Sequence, residues 1–353
     1  MARTRHPRPV ALTSVVRDFI STIYVSNMMF LENEALQNSR VQAFGPLSYP
    51  PSTQHGSAAL DLANYFSPTT TWQDAWYASG DCPIPPPLVG GKNHVVIMSS
   101  VTTGSHKRVN VGTLFADLSM FWGSVEFQKN NPKDPKTIKR NAHILPCPEP
   151  CLKEQLIEAF ETYGDTIALF AESFLGSGQF CGRGECWDLA HEALKYFQDF
   201  DYVPKPVPSI GRTHGHLIFE ARVSDGGKKM EGRWRGGDNR IRRGDIVEWR
   251  KVRIGLRGGF ARLGDPDHTA IIIGDVIVER SPRDGDLMSP ADLGTITVIE
   301  QSQGSLPEKR DYNLKCLEEG EMWVYRPIGM QVYLGVADLT AEAPDNHVRL
   351  KTL

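Results

Sequence analysis

The sequence predicts an α+β protein in which a helix opened by a cysteine packs against an antiparallel sheet. Three observations carry this prediction. Gly182 and Gly184 precede Cys186, after which Leu189, Ala190, Ala193, Leu194 and Phe197 recur at helical spacing. About eighty residues later, His268 heads an apolar, β-branched run ending at Gly274, which reads as a buried strand. A second such run, Thr295 to Glu300, ends in the polar residues Gln301 and Ser302. Strand alternation then puts Glu300 and Ser302 on one face and Gln301 on the other.

Composition sets the outer limits. The chain has 353 residues, enough for two domains or one large one, and a net charge of −3. That balance gives no electrostatic reason to expect a nucleic acid or an anionic membrane as partner. No apolar run approaches the ~20 residues that a membrane helix requires, so no transmembrane segment is expected. Six cysteines (Cys82, Cys147, Cys151, Cys181, Cys186, Cys316) are too sparse for a disulfide scaffold in a chain of this length. A reducing cytoplasm is the expected compartment. The N-terminal arginines, Arg3, Arg5, Arg8 and Arg17 against Asp18, faintly resemble a mitochondrial presequence, but an irregular tail is the preferred reading.

In chain order, residues 1–45 read as an irregular or partly helical tail, with an amphipathic stretch from Val15 to Leu31. Residues 46–145 read as a β-rich subdomain. It opens with a proline-rich run, Cys82 to Pro87, and continues with strand-like runs at Val95–Met98, Val109–Phe115 and Ser124–Phe127. Residues 146–330 hold the cysteine, histidine and carboxylate segments. There Leu156, Ile157, Phe160, Tyr163, Ile167 and Phe170 mark an amphipathic helix, broken near Gly164. Tyr202 to Pro208 and Arg212 to His216 read as loop, and the basic, glycine-rich stretch from Gly226 to Arg243 as a surface loop. Arg243 to Trp249 turns into a strand, with Ile246 and Glu248 on one face and Val247 and Trp249 on the other. Met322 to Arg326 is the last strand, and residues 331–353 read as an appended tail.

The chemistry follows from residue types. A thiol in the first turn of a helix meets the partial positive charge of unpaired N–H groups, which favours thiolate. A carboxylate on a strand beside a histidine strand can accept one ring N–H and hold the other nitrogen toward the sulfur. Cys186, His268 and Glu300 therefore form a candidate nucleophile, base and orienting carboxylate. Taken singly, each has a plainer reading: a buried structural thiol, a histidine bonded to Asp265 or Asp267, and a strand-end carboxylate bonded to water. Other candidates fall away. Gly176-Ser177-Gly178-Gln179 lacks the lysine of a phosphate loop. Cys147 and Cys151 lack a second ligand pair, and His214 and His216 lack a third ligand. Neither a metal nor a cofactor is expected.

These residues resemble the papain-like thiol hydrolases of the cysteine/histidine-dependent amidohydrolase and peptidase type. Gly184 before the cysteine and Trp187 after it strengthen the likeness. The resemblance implies an oxyanion role for Gln179 and sets Ser302 where the related pattern has asparagine. A resemblance that covers more of the chain, Thr70 to Pro327, is to the cysteine-proteinase-fold C-terminal domain of fungal cortical-actin-patch proteins that interact with the myosin-I tail. Its motifs are Trp72 with Pro85-Pro86-Pro87, Leu114 to Ser119, the proline-rich lead into the Leu152–Gly164 helix, Gly244-Asp245-Ile246, Pro266-Asp267-His268 and Glu300-Gln301. It implies a papain-like core. It also implies one of two functions: a thiol peptidase or amidase acting on a peptide or amide substrate, or a non-catalytic interaction domain with protein partners at actin patches during endocytosis. The loop from Gly211 to Arg243 is expected to shape the groove.

Overall fold

A computed structural model describes residues 46–80 and 83–344, with the backbone alone at 348–349. The expected helix at Val15–Leu31 and the cysteine of the proline-rich run, Cys82, lie outside the described residues. Five α-helices are described: α1 Ala58–Phe66, α2 Lys153–Ala159, α3 Asp165–Glu172, α4 Cys186–Lys195 and α5 Met330–Leu334. The strands are β1 His94–Thr103, β2 His106–Phe115, β3 Met120–Gln128, β4 Lys139–Leu145, β5 His216–Ser224, β6 Lys229–Trp234 and β7 Arg240–Ile241. They continue with β8 Ile246–Leu256, β9 Gly259–Ile272, β10 Val276–Ile277, β11 Thr295–Ser302, β12 Ser305–Asn313, β13 Leu317–Arg326 and β14 Val348–Arg349.

Two antiparallel sheets dominate. The first runs β1-β2-β3-β4-β14 and the second β12-β11-β9-β8-β13-β5-β6, while β7 and β10 pair separately. One hydrophobic cluster takes in Leu114, Met120 and Trp122 from the first sheet with Phe219, Trp249, Val298 and Trp323 from the second. Packing is therefore continuous across residue 145, where the sequence suggested a boundary. Four tryptophans, Trp122, Trp234, Trp249 and Trp323, are fully buried. Large apolar side chains of this kind each stabilise a fold by about 1.5–3 kcal/mol when taken from water.

A separate cluster joins the cysteine helix to the second sheet. Leu189, Ala190, Ala193 and Leu194 of α4 pack with Tyr163, Ile167, Ala171, Ile246, Ile271 and Ile299. This is the helix-on-sheet layer that the apolar spacing predicts. The break expected near Gly164 is instead a wide helical turn, Phe160–Gly164, joining α2 to α3. There a Cβ on Gly164 would stand 2.8 Å from the Arg243 carbonyl oxygen.

Several sequence expectations are corrected. The stretch from Gly226 to Arg243 is no surface loop: it contains β6 and β7, and Trp234 and Asp238 are fully buried. Its arginines are drawn in by carboxylates, with Arg242 Nε 2.6 Å from Asp238. The segment after Met330 is no loose tail. Val336 and Leu339 are buried, the Thr340 carbonyl accepts Trp122 Nε1–H at 3.1 Å, and β14 pairs with β4. Strands β4, β5 and β12 were not anticipated, because charged or polar residues hide their alternation. Finally, His268 does not head its strand. Strand β9 begins at Gly259, and a two-residue turn, Arg257-Gly258, joins it to β8.

Candidate active site

The approach to Cys186 is a set of tight turns fastened by side chains. Gly184 has φ +86°, a left-handed backbone that favours glycine, and its N–H donates to the Cys181 carbonyl at 3.0 Å. Glycine is needed here for the turn. Glu185 is extended and Cys186 is the first residue of α4. Asp188, one turn into the helix, accepts the Arg183 N–H at 2.6 Å and the Arg183 guanidinium at 2.7 Å. Burial works against the Asp188 carboxylate, but these bonds outweigh it and lower its pKa. Trp187 donates Nε1–H to the Gly211 carbonyl at 2.9 Å and stacks on His191, so the helix start is also held from its far side.

Gln301 completes the fastening. Its side chain is buried and accepts the Cys181 N–H at 2.9 Å. Its amide also donates to the Cys181 carbonyl at 2.9 Å and to the Glu185 carbonyl at 2.8 Å. One residue of β11 thus ties that strand to the turn that presents the cysteine.

The ladders bring the remaining groups together. Trp249 of β8 stands opposite His268, and Ala270 of β9 stands opposite Glu300. His268 and Glu300 are therefore same-face diagonal neighbours on adjacent strands, within reach of two long side chains. His268 Nε2 lies 2.9 Å from Glu300 Oε2. The Cys186 side chain lies close enough to the His268 ring to act on its charge, and its sulfur lies 4.0 Å from the Asp267 carbonyl oxygen. With Nε2 taken by the carboxylate, Nδ1 is the ring nitrogen that faces the sulfur. Burial alone would push the imidazole down. The interactions with Cys186 and Glu300, and the charges of both, outweigh burial and raise its pKa from 6.5 to about 10.

The carboxylate has a second partner. Glu300 Oε1 accepts the Tyr312 hydroxyl at 2.7 Å. Tyr312 lies on β12, a strand whose charged run Glu308-Lys309-Arg310-Asp311 concealed it from periodicity. The only sequence signal was an aromatic residue shortly after the Glu300 strand.

Cys186 opens on a cavity of about 590 Å³. Its walls are the β8–β9 hairpin (Leu256, Arg262, Gly264, Asp265) and the β11–β12 hairpin (Ser302, Gln303, Ser305, Glu308). Gly304, at φ +83°, makes the two-residue turn of the second hairpin, with Ser302 opposite Ser305. Cys186 is partly exposed, and Leu256, Arg262 and Asp265 at the cavity's rim are exposed. The loop from Gly211 to Arg243, expected to shape the groove, contributes no lining residue.

The structure brings Cys186, His268 and Glu300 together and places Ser302 on the same cavity wall. Gln179 stands apart: it is exposed, its N–H bonds Ser177 Oγ, and it does not line the cavity. His214 and His216 are each buried and hydrogen-bonded. His214 lies between Ser209 (2.8 Å) and Glu248 (2.8 Å), and His216 Nε2 accepts the Cys151 N–H at 2.9 Å. Among the described residues no three His, Cys, Asp or Glu side chains gather as a metal site.

Comparison with known proteins agrees with this architecture. The chain is 24% identical over 263 residues to Altered inheritance of mitochondria protein 3 of Debaryomyces hansenii. That stretch is 72% of this chain and 26% of the relative, so the chain spans about a quarter of the length of the curated relative it matches. No solved structure matches. A family model, the AIM3/BBC1 cysteine proteinase-fold domain, matches residues 139–338, which include Cys186, His268, Glu300 and Tyr312. The chain therefore belongs to the AIM3/BBC1 cysteine proteinase-fold domain family.

Proposed function

We propose that this domain has a papain-like core and acts as a thiol hydrolase on a peptide or amide, with Cys186 as nucleophile, His268 as base and Glu300 as orienting carboxylate. The observation that carries the reading is the gathering of Cys186, His268 and Glu300 on one cavity, with His268 Nε2 2.9 Å from Glu300 and the Cys186 side chain beside the ring. An imidazolium beside a sulfur is the electrostatic partner that a reactive thiolate needs. In the reaction, the Cys186 sulfur attacks the carbonyl carbon while His268 holds the thiol proton. His268 then gives that proton to the departing amine, leaving a thioester that water cleaves. The Cys186 N–H, at the first position of α4, has no acceptor within the helix and is the donor this reading assigns to the developing oxyanion. One such donor is typically worth about 3 kcal/mol in the barrier.

The test is alkylation by iodoacetamide. Cys186 should react readily well below pH 8, Cys186→Ser should lose the labelled site, and His268→Ala should slow labelling at least tenfold. Slow labelling that ignores His268→Ala would refute the reading.

A second reading, a binding domain at cortical actin patches with myosin-I-linked partners, has one feature in its favour. Aromatic rings run in sequence along the surface of α3, α4 and the loop that follows. Phe174 meets Phe170 (5.4 Å between centroids), Phe170 meets Tyr196 (6.0 Å), Tyr196 meets Phe200 (5.0 Å) and Phe200 meets Tyr202 (5.6 Å). Tyr202 is 83% exposed. Phe170 and Phe174 pack partly against the core, so the exposed part of the stripe is Tyr196 and Tyr202, and exposed apolar patches mark interaction surfaces. On this reading a tagged Cys186→Ser chain still concentrates at cortical actin patches in cells, and diffuse signal from both wild type and variant counts against it.

A further inference from the structure

We propose that Tyr312 is a positioning residue of this site, holding Glu300 so that one carboxylate oxygen stays on His268. The proposal rests on the Cys186–His268–Glu300 reading and adds a fourth member to it. The last torsion of a glutamate is broad, so a single contact to an imidazole does not fix the carboxylate plane. Two contacts to different oxygens do. Oε2 meets His268 Nε2 at 2.9 Å and Oε1 meets the Tyr312 hydroxyl at 2.7 Å. An ionised carboxylate only accepts, so the phenol is the donor.

Tyr312 is itself well anchored. It is 4% exposed and stands opposite Ile296 on β11. Its ring meets Trp249 edge to face, with centroids 6.1 Å apart at 71°. Trp249, fully buried, lies opposite His268 in the β8–β9 ladder. The backbone of the histidine strand and the phenol that restrains the carboxylate are thus referred to one indole. Arg310, paired with Glu308, lies close enough to feel the Glu300 charge but makes no hydrogen bond to it. Burial, and then the charge of Glu300, push the Tyr312 phenol up, so it remains a donor wherever the imidazole is charged.

The alternative is that the hydroxyl merely satisfies a core tyrosine, and the experiment separates the two. In the full chain labelled with ¹⁵N-histidine, the Nε2 proton of His268 is followed by NMR in wild type, Tyr312→Phe and Glu300→Gln. Freed from its second anchor, the carboxylate should release that proton to solvent about tenfold faster in Tyr312→Phe, in line with the loss of one hydrogen bond to a charged group. The Cys186 alkylation rate near neutral pH should fall by a similar factor. Adding Tyr312→Phe to Glu300→Gln should change little further, because the two act as a unit. Proton exchange and alkylation both unchanged in Tyr312→Phe, with only the melting temperature lowered, would overturn the proposal. So would full additivity of the two substitutions. If wild-type Cys186 proves an ordinary thiol while Tyr312→Phe still frees the His268 proton, the hydrolase reading fails and the positioning role stands.

Discussion

Burial works against a charged imidazole at His268, yet the ring gains more from Cys186 and Glu300 than it loses to desolvation. The folded chain therefore binds this proton more tightly than the unfolded chain does, with a pKa of about 10 against 6.5. By linkage, the stabilisation is complete below pH 6.5 and is lost as pH rises through about 10. Urea titrations of wild type and His268→Ala should show a stability gap that narrows steadily across that interval. A gap that does not change with pH would contradict the assigned contacts. At this scale the sequence was informative. Cysteine after a glycine turn, histidine beside a β-branched run and glutamate at a strand end are each recognisable from neighbours within a few positions. Tyr312 was not, because its only distinguishing feature is a hydroxyl aimed at a residue twelve positions away.

At the scale of elements, the turn that opens the thiol-bearing helix is held to strand β11 by one polar side chain as well as by the apolar packing of Ile299 under α4. Gln301 meets three backbone groups of the turn between Cys181 and Glu185, all from one buried amide. Substituting alanine would leave a buried N–H and two carbonyls without that partner, at about 1–3 kcal/mol for an unsatisfied buried group. Gln301→Ala should accordingly lower the urea midpoint and speed hydrogen exchange at the Cys181 amide, while amides in β1–β3 keep their protection. Unchanged exchange at Cys181 would show that the turn holds itself. Alternation along β11 predicted that Gln301 faces away from Glu300 and Ser302. That it faces the cysteine loop depends on the β9–β11 register, which places Ile299 against Ile271 and so beneath α4.

Across the whole molecule, one buried cation joins segments that the sequence had described separately. Arg326, 1% exposed at the end of β13, meets Asp238 and, at 2.9 Å, Asp245. It also donates to the Leu156 and Arg240 carbonyls at 3.3 and 3.0 Å. Burial favours the neutral form of both carboxylates. At Asp238, bonds from Arg242 and Arg326 overcome burial and its pKa is lowered, whereas at Asp245 burial prevails over the bonds from Arg326 and its pKa is raised. A hydropathy reading sees Gly226 to Arg243 as basic and exposed because it cannot register that its charges are paired on folding, some nearby, as Arg242 with Asp238, and some far along the chain, as Arg243 with Glu172. The same blindness turned residues 336–342 into a tail, although Thr340 lies against Gly112, where a Cβ would come within 1.8 Å of its carbonyl oxygen.

The sequence by itself determined the α+β class, the helix opened by Cys186 and the residue types of the candidate site. Each of those depends on local periodicity or on the intrinsic chemistry of one side chain. Tertiary structure alone decided that two hairpins wall the cavity, that Gln179 stays outside it, that Tyr312 reaches Glu300, and that the charged stretch before β8 is core. Those outcomes depend on strand register and on the pairing of distant charges, which exist only once the chain has closed on itself.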